Sequence, residues 1–135
     1  MRRDPKKESQ RWLIQAEQEL KDAISIIELG SYYLTLFLCQ QSAEKALKAF
    51  VYLHEEEPIM THSVSSLLKI AESIDSEFAN VKESKRLDDY YIPTRYPNGV
   101  PDEAPAEYYD DVEEAKQAIQ MAEGVVKLVR QKIQA

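Results

Sequence analysis

The chain has 135 residues, 44% of them apolar and 30% charged, with a formal net charge of −7, the size and balance of one globular domain built around one core. No apolar run approaches the ~20 residues that cross a bilayer, and the basic start leads into an amphipathic pattern instead of a signal-peptide core, so a single cytoplasmic domain over residues 1–135 with no membrane contact is expected. The negative charge argues against wrapping duplex DNA by bulk charge. It leaves two local basic groups, Arg2, Arg3, Lys6, Lys7 and Arg11, then Lys82, Lys85 and Arg86, both read as solvated surface.

Asp4-Pro5 is a helix start, because the carboxylate can cap free N–H groups and proline lacks the donor that the first turn leaves unpaired. Trp12, Leu13, Ala16, Leu20, Ala23, Ile24 and Ile27 then recur in steps of three and four up to Gly30, which predicts one apolar stripe on a first helix. A second helix, about 32 to 54, can be capped by Ser31. It is apolar nearly all round at first and one-sided later through Ala43, Ala46, Leu47, Phe50 and Val51, the pattern of a central element. Pro58 disfavours helical geometry at Glu57 and should end it. A third helix starts near Thr61 or Ser63 and carries Val64, Leu67, Leu68, Ala71 and Ile74. A weaker fourth segment, 76 to 90, is anchored by Phe78, Val81 and Leu87.

Residues 90 to 105 hold four of the six prolines, Pro93, Pro97, Pro101 and Pro105, so no helix runs through them and the loop is stiff. After it, Tyr108, Val112, Ala115, Ile119, Ala122, Val126, Val129 and Ile133 form a seam in alternating steps of four and three, with Gly124 off the seam. The fold class expected is all-α: an antiparallel up-and-down four-helix bundle with an additional short helix and a proline-rich loop before the last long helix.

Stock catalytic patterns are missing. There is no Glu-x-x-His pair for a di-iron centre, no glycine-rich phosphate loop and no nucleophile elbow, and no metal or cofactor is expected. Cys39, the only cysteine, excludes an internal disulfide and reads as a small buried hydrophobe. Two features remain. Gln40, Glu44 and Lys48 share one face of the second helix, widened by Gln41 and Lys45, either as a solvated or inter-helix polar face or as a wall that reads a nucleotide or stabilises a partner. Arg95 is the only base between Arg86 and Lys116 and lies between Tyr91 and Tyr96. It can stack, hold a phosphate, or bridge to Asp110 or Asp111; spacing alone favours the bridge.

On "WLIQAEQELKDA", "LFLCQQSAEKALKAFVY", "THSVSSLLK" and "YYIPTRYPNG" the sequence resembles the HEPN family, a nucleotide-binding helical domain of prokaryotes and eukaryotes. The resemblance implies a helical bundle, commonly a homodimer or higher homo-oligomer, often partnered by a small nucleotidyltransferase in a toxin–antitoxin-like complex. Many relatives are metal-independent endoribonucleases with an arginine followed four to six residues later by a histidine. Arg95 matches the arginine, while Tyr96 to Pro101 contain no histidine and no group that titrates near neutral pH. The expectation is therefore a protein that binds nucleotide or RNA phosphate through Arg95 and Tyr96, with Gln41, Glu44, Lys45 and Lys48 as the polar wall, Arg95 being the best candidate for any catalytic role. The alternatives are an endoribonuclease with a degenerate centre, in which His54 or His62 reaches the loop only through the fold, and a structural dimerisation adaptor.

Overall fold

The computed structural model describes residues 4–54 and 59–134; the expected helix stop at Glu57 and Pro58 and the basic residues Arg2 and Arg3 lie outside them. The first helix, α1, spans Pro5–Ile26, and the Asp4 side chain accepts from the Lys6 N–H at 3.0 Å, satisfying one of the donors a helix start leaves open. It ends in a 3₁₀ turn over Ile27–Leu29 followed by Gly30 at φ 77°, a left-handed conformation that a side chain would strain. The second helix, α2, spans Tyr32–His54 and returns antiparallel to α1.

Their register is fixed by three hydroxyls. Ser9 Oγ donates to the Ala49 carbonyl at 2.6 Å, Ser42 Oγ to that of Ala16 at 2.7 Å, and Thr35 Oγ1 to that of Ala23 at 3.4 Å. These positions step by seven along each helix in opposite directions, so small residues meet at every second turn and the helices approach closely. That narrow seam corrects the expected stripe: Leu13, Ala16 and Ala23 are buried, while Ile24, next to the seam, is 42% exposed.

The third helix, α3, spans Val64–Ile74 and is capped twice. Ser63 accepts from the Ser66 N–H at 3.0 Å, and the Asp88 carboxylate, far along the chain, takes Ser63 Oγ at 3.0 Å, Val64 N at 2.7 Å and Ser65 N at 2.9 Å. The weaker fourth segment expected over 76 to 90 is a run of 3₁₀ turns, Ser76–Tyr90, broken at Val81, which is non-helical at φ −116°, ψ 19°. Phe78, Val81, Ser84 and Leu87 are its inward-facing residues, and their spacing of three matches the three residues per turn of a 3₁₀ helix.

The short helix α4 spans Pro105–Tyr108 and the last, α5, Val112–Gln134. Asp111 Oδ1 accepts from the Glu113 N–H at 2.9 Å and so starts α5 there. Tyr108 thus lies outside α5 and is 43% exposed, while Tyr109 is buried instead. Within α5, Ala115, Ala122, Val126 and Val129 are buried as the seam requires, joined by Ala118, Val125 and Leu128, because α5 packs against α2 and the Ser76–Tyr90 segment together. Its ends are tied by Tyr90 Oη donating to Glu114 at 2.8 Å and by Lys132 Nζ 2.8 Å from Asp75. The chain is all-α with no strand among the described residues, and no helix is long and apolar enough to cross a membrane.

Candidate phosphate site

The proline-rich loop is held from below. Thr94 is 2% exposed and its hydroxyl donates to the Tyr90 carbonyl, and Val100, Pro105 and Tyr109 are buried. Gly99 sits against Pro93 so closely that a Cβ there would lie 2.8 Å from Pro93 Cα, a backbone atom that cannot give way. The prolines therefore act through packing as well as through fixed φ.

On this base Arg95 projects outward. Its N–H donates to the Ile92 carbonyl at 3.0 Å and its Nε to the Tyr91 carbonyl at 2.8 Å. The guanidinium carbon lies 4.4 Å from the ring centre of Tyr91, 5.2 Å from Tyr96 and 5.3 Å from Phe37 of α2. Three rings around one cation fix its direction without neutralising it. The expected bridge to Asp110 or Asp111 is not formed: among the described residues Arg95 makes no ion pair. With one nitrogen used by the backbone and the group exposed, its remaining donors face solvent in the planar fork that suits phosphate.

The polar residues of α2 form a continuous chain. Lys45 pairs with Glu19 of α1 at 2.8 Å and donates to Gln41 at 3.1 Å; Gln41 donates to Gln40 at 2.7 Å; Gln40 donates to the His62 carbonyl at 3.0 Å and to Glu44 at 3.4 Å. Glu44 and Lys48, each only 4% exposed at the side chain, pair at 3.0 Å, and Lys48 also lies 5.3 Å from the ring centre of Trp12. No buried side-chain polar atom among the described residues lacks a partner. Glu44 and Lys48 are thus spent on each other inside the bundle, whereas Gln41 and Lys45 lie nearer its surface.

His62 joins the two regions. Its Nδ1 is 3.2 Å from Glu44 Oε2, and its ring stacks on Tyr91 with centres 5.4 Å apart and planes at 16°. Tyr91 therefore carries the imidazole and the guanidinium together. The fold brings a histidine, which sequence spacing does not supply, to the tyrosine on which Arg95 lies, and Phe37 completes the cage from a third element. Neither is legible from local spacing, although Tyr91 and Tyr96 flanking Arg95 are. His54 is placed elsewhere, its ring 4.7 Å from that of Phe50.

Two further titratable groups, Cys39 and Tyr90, play structural parts. Burial, reinforced by Glu123, pushes the Cys39 thiol up to about 12, so it stays protonated and is no nucleophile. Burial and the bond to Glu114 push Tyr90 up likewise. Among the described residues no group of three or more His, Cys, Asp or Glu could hold a metal ion.

No curated protein matches the chain. Among solved structures, the crystal structure of TT1696 from Thermus thermophilus is similar, with a TM-score of 0.82 and 35% identity, over 92% of this chain and 97% of that one. So is the crystal structure of ST0689, an archaeal HEPN homologue, with a TM-score of 0.75 and 33% identity, over 93% of this chain and 97% of that one. The family model for the HEPN domain matches residues 9–132, and the chain belongs to the HEPN domain family.

Proposed function

We propose that this HEPN-domain protein binds the phosphate of a nucleotide or RNA at Arg95, with Tyr96 beside it, and works as the partner of a small nucleotidyltransferase in a complex of the toxin–antitoxin type. One observation carries the phosphate assignment: an exposed guanidinium is held by Tyr91, Tyr96 and Phe37 with no carboxylate on it. In a chain of net charge −7, a cation without a carboxylate partner among the described residues is positioned for an anion from outside. The ring of Tyr96, 50% exposed, adds a face on which a base can stack. Gln41 and Lys45 lie along the neighbouring surface of α2 as the outer part of the polar wall; Glu44 and Lys48 support it from within. Family membership, and no contact within the molecule, motivates the nucleotidyltransferase and the homo-oligomer. Titrating nucleotides and a short RNA against wild type and Arg95→Ala tests the site: the expected result is saturable binding that the substitution weakens, and equal binding by both proteins refutes it. Co-purification with the neighbouring gene's product tests the partner.

A second reading, a metal-independent endoribonuclease, draws on His62. A buried carboxylate, Glu44, holds one imidazole nitrogen while the other has no protein partner among the described residues, the arrangement in which an imidazole can move a proton, with Arg95 available to the phosphate. It requires RNA cleavage that persists in EDTA and is lost in both Arg95→Ala and His62→Gln. Cleavage undiminished in either variant removes that residue from the reaction.

A further inference from the structure

Asn98-Gly99 forms the turn of the proline-rich loop, and both residues are exposed. The chain has one other asparagine, Asn80, which is exposed as well but precedes Val81. Asparagine is thermolabile because the main-chain nitrogen that follows it can attack the side-chain amide carbon. A β-branched neighbour crowds that nitrogen, whereas glycine leaves it open. The two sites therefore differ in the feature on which the chemistry depends.

The fold holds the reactive pair back. Gly99 N–H donates to the Tyr96 carbonyl at 3.0 Å and Val100 N–H to that of Pro97 at 3.3 Å, which fixes the peptide planes on both sides of Gly99. Gly99 is also pressed onto the Pro93 backbone, and the Thr94 hydroxyl ties the loop to the Tyr90 carbonyl beneath it. The Asn98 amide, by contrast, makes no hydrogen bond among the described residues. Ring closure needs the Gly99 nitrogen turned toward that amide carbon, so the turn must open first, a local event that leaves the bundle folded.

We infer that Asn98 is a modification site gated by this turn: its amide converts to aspartate and isoaspartate when the loop opens, and the isoaspartate then keeps the loop from closing. The Gly99 nitrogen bonds to Asn98 Cγ, the Cγ–Nδ2 bond breaks, and ammonia leaves with the Gly99 proton. Water then splits either imide bond of the resulting succinimide and leaves a carboxylate. Splitting on the main-chain side routes the chain through Cβ and Cγ, and the added backbone atom does not fit the packing of Gly99 on Pro93. The new negative charge arises on the loop whose only base is Arg95, so it competes with phosphate there. That last consequence rests on the phosphate reading of Arg95; the modification does not.

The experiment follows conversion at Asn98 and Asn80 in the full chain by peptide-mapping mass spectrometry, folded and in urea, with Thr94→Val beside wild type. Expected in the folded protein is conversion at Asn98 and not at Asn80, with isoaspartate among the products, ~10–100-fold more slowly than in urea. Thr94→Val, with helical circular dichroism retained, should raise the folded rate at least ~3-fold and leave the rate in urea unchanged. Affinity for a short RNA should fall at least ~3-fold in Asn98→Asp, while Asn98→Gln, which stays neutral, binds as wild type does. Equal rates folded and in urea, no folded conversion by the time the urea sample is exhausted, or equal folded rates in wild type and Thr94→Val overturn the inference. Wild-type affinity in Asn98→Asp overturns the coupling to Arg95. Failure of wild type to bind RNA refutes the phosphate reading instead, and the conversion rates still decide the modification.

Discussion

Two cationic regions meet at His62, and they hold their charges in opposite ways. Within α2, Lys48 is buried and paired with Glu44; in the loop, Arg95 is exposed, caged by rings and free of any carboxylate among the described residues. A buried charge must have its partner because desolvation is costly, so such a residue is committed to the fold. A guanidinium on aromatic faces keeps its charge, since a ring fixes position without offering a counter-ion. The difference separates residues that build the bundle from the residue proposed to meet a ligand.

The contrast is broken most severely at its buried end. Glu44→Ala leaves the Lys48 ammonium uncompensated, and a loss of about 3–5 kcal/mol is expected, a fall in Tm of ~10 °C or more by circular dichroism. The paired change Glu44→Gln with Lys48→Met is expected to cost far less. A double variant as unstable as Glu44→Ala contradicts the view that the lone charge is the cause. Asp88→Ala removes the acceptor of two N–H groups and a hydroxyl at the start of α3 and is expected to cost about 2 kcal/mol, read as a lower urea midpoint with unchanged m-value. Since His62 immediately precedes Ser63, a weakened phosphate site should accompany it.

Gly99→Ala sharpens the comparison from the loop side. Its Cβ would collide with Pro93 Cα, so about 1–3 kcal/mol is expected together with weaker ligand binding, because the base under Arg95 shifts. Full retention of both properties shows that the loop is less firmly held than its packing implies. The smallest effect lies at the far end of α5. The hydrogen bond from Lys132 holds the Asp75 carboxyl below its ordinary 3.8. A depressed carboxyl pKa adds stability above the unfolded value that is lost as pH falls through the folded one. Lys132→Met should therefore flatten the stability profile below about pH 4 and leave binding at Arg95 untouched; an unaltered acid limb contradicts the assignment.

Legibility in the sequence follows the same division. Period and caps are local properties, so the four main helical regions, the Asp4-Pro5 start and the α5 seam could be read directly, and so could the isolation of Arg95 among prolines and tyrosines. Three things could not. The spacing of three through Phe78, Val81, Ser84 and Leu87 was open to reading as a weak α-helix, and only packing against Phe50 and α5 makes it 3₁₀. The choice between a bridge to Asp110 or Asp111 and an aromatic cage depends on Phe37, nearly sixty residues away in the chain and near only in the fold. The approach of His62 to Tyr91 depends on Glu44 and Asp88, which fix the start of α3 from two other elements. In each case the deciding contact is distant in sequence, where periodicity carries no information.

The central claim is that the caged guanidinium of Arg95 binds phosphate and does little for stability. The most direct measurement is the equilibrium affinity of a short RNA for wild type, Arg95→Lys and Arg95→Met, with the Tm of each recorded in the same buffer. The expected result is a Tm within a few degrees across the three, since exposed cation–π contacts are worth about 0.5–1 kcal/mol. Affinity should fall at least ~10-fold in Arg95→Met and by an intermediate amount in Arg95→Lys, which keeps the charge without the planar fork. Unchanged affinity in Arg95→Met, or a large fall in its Tm with binding intact, would contradict the claim and make Arg95 part of the scaffold.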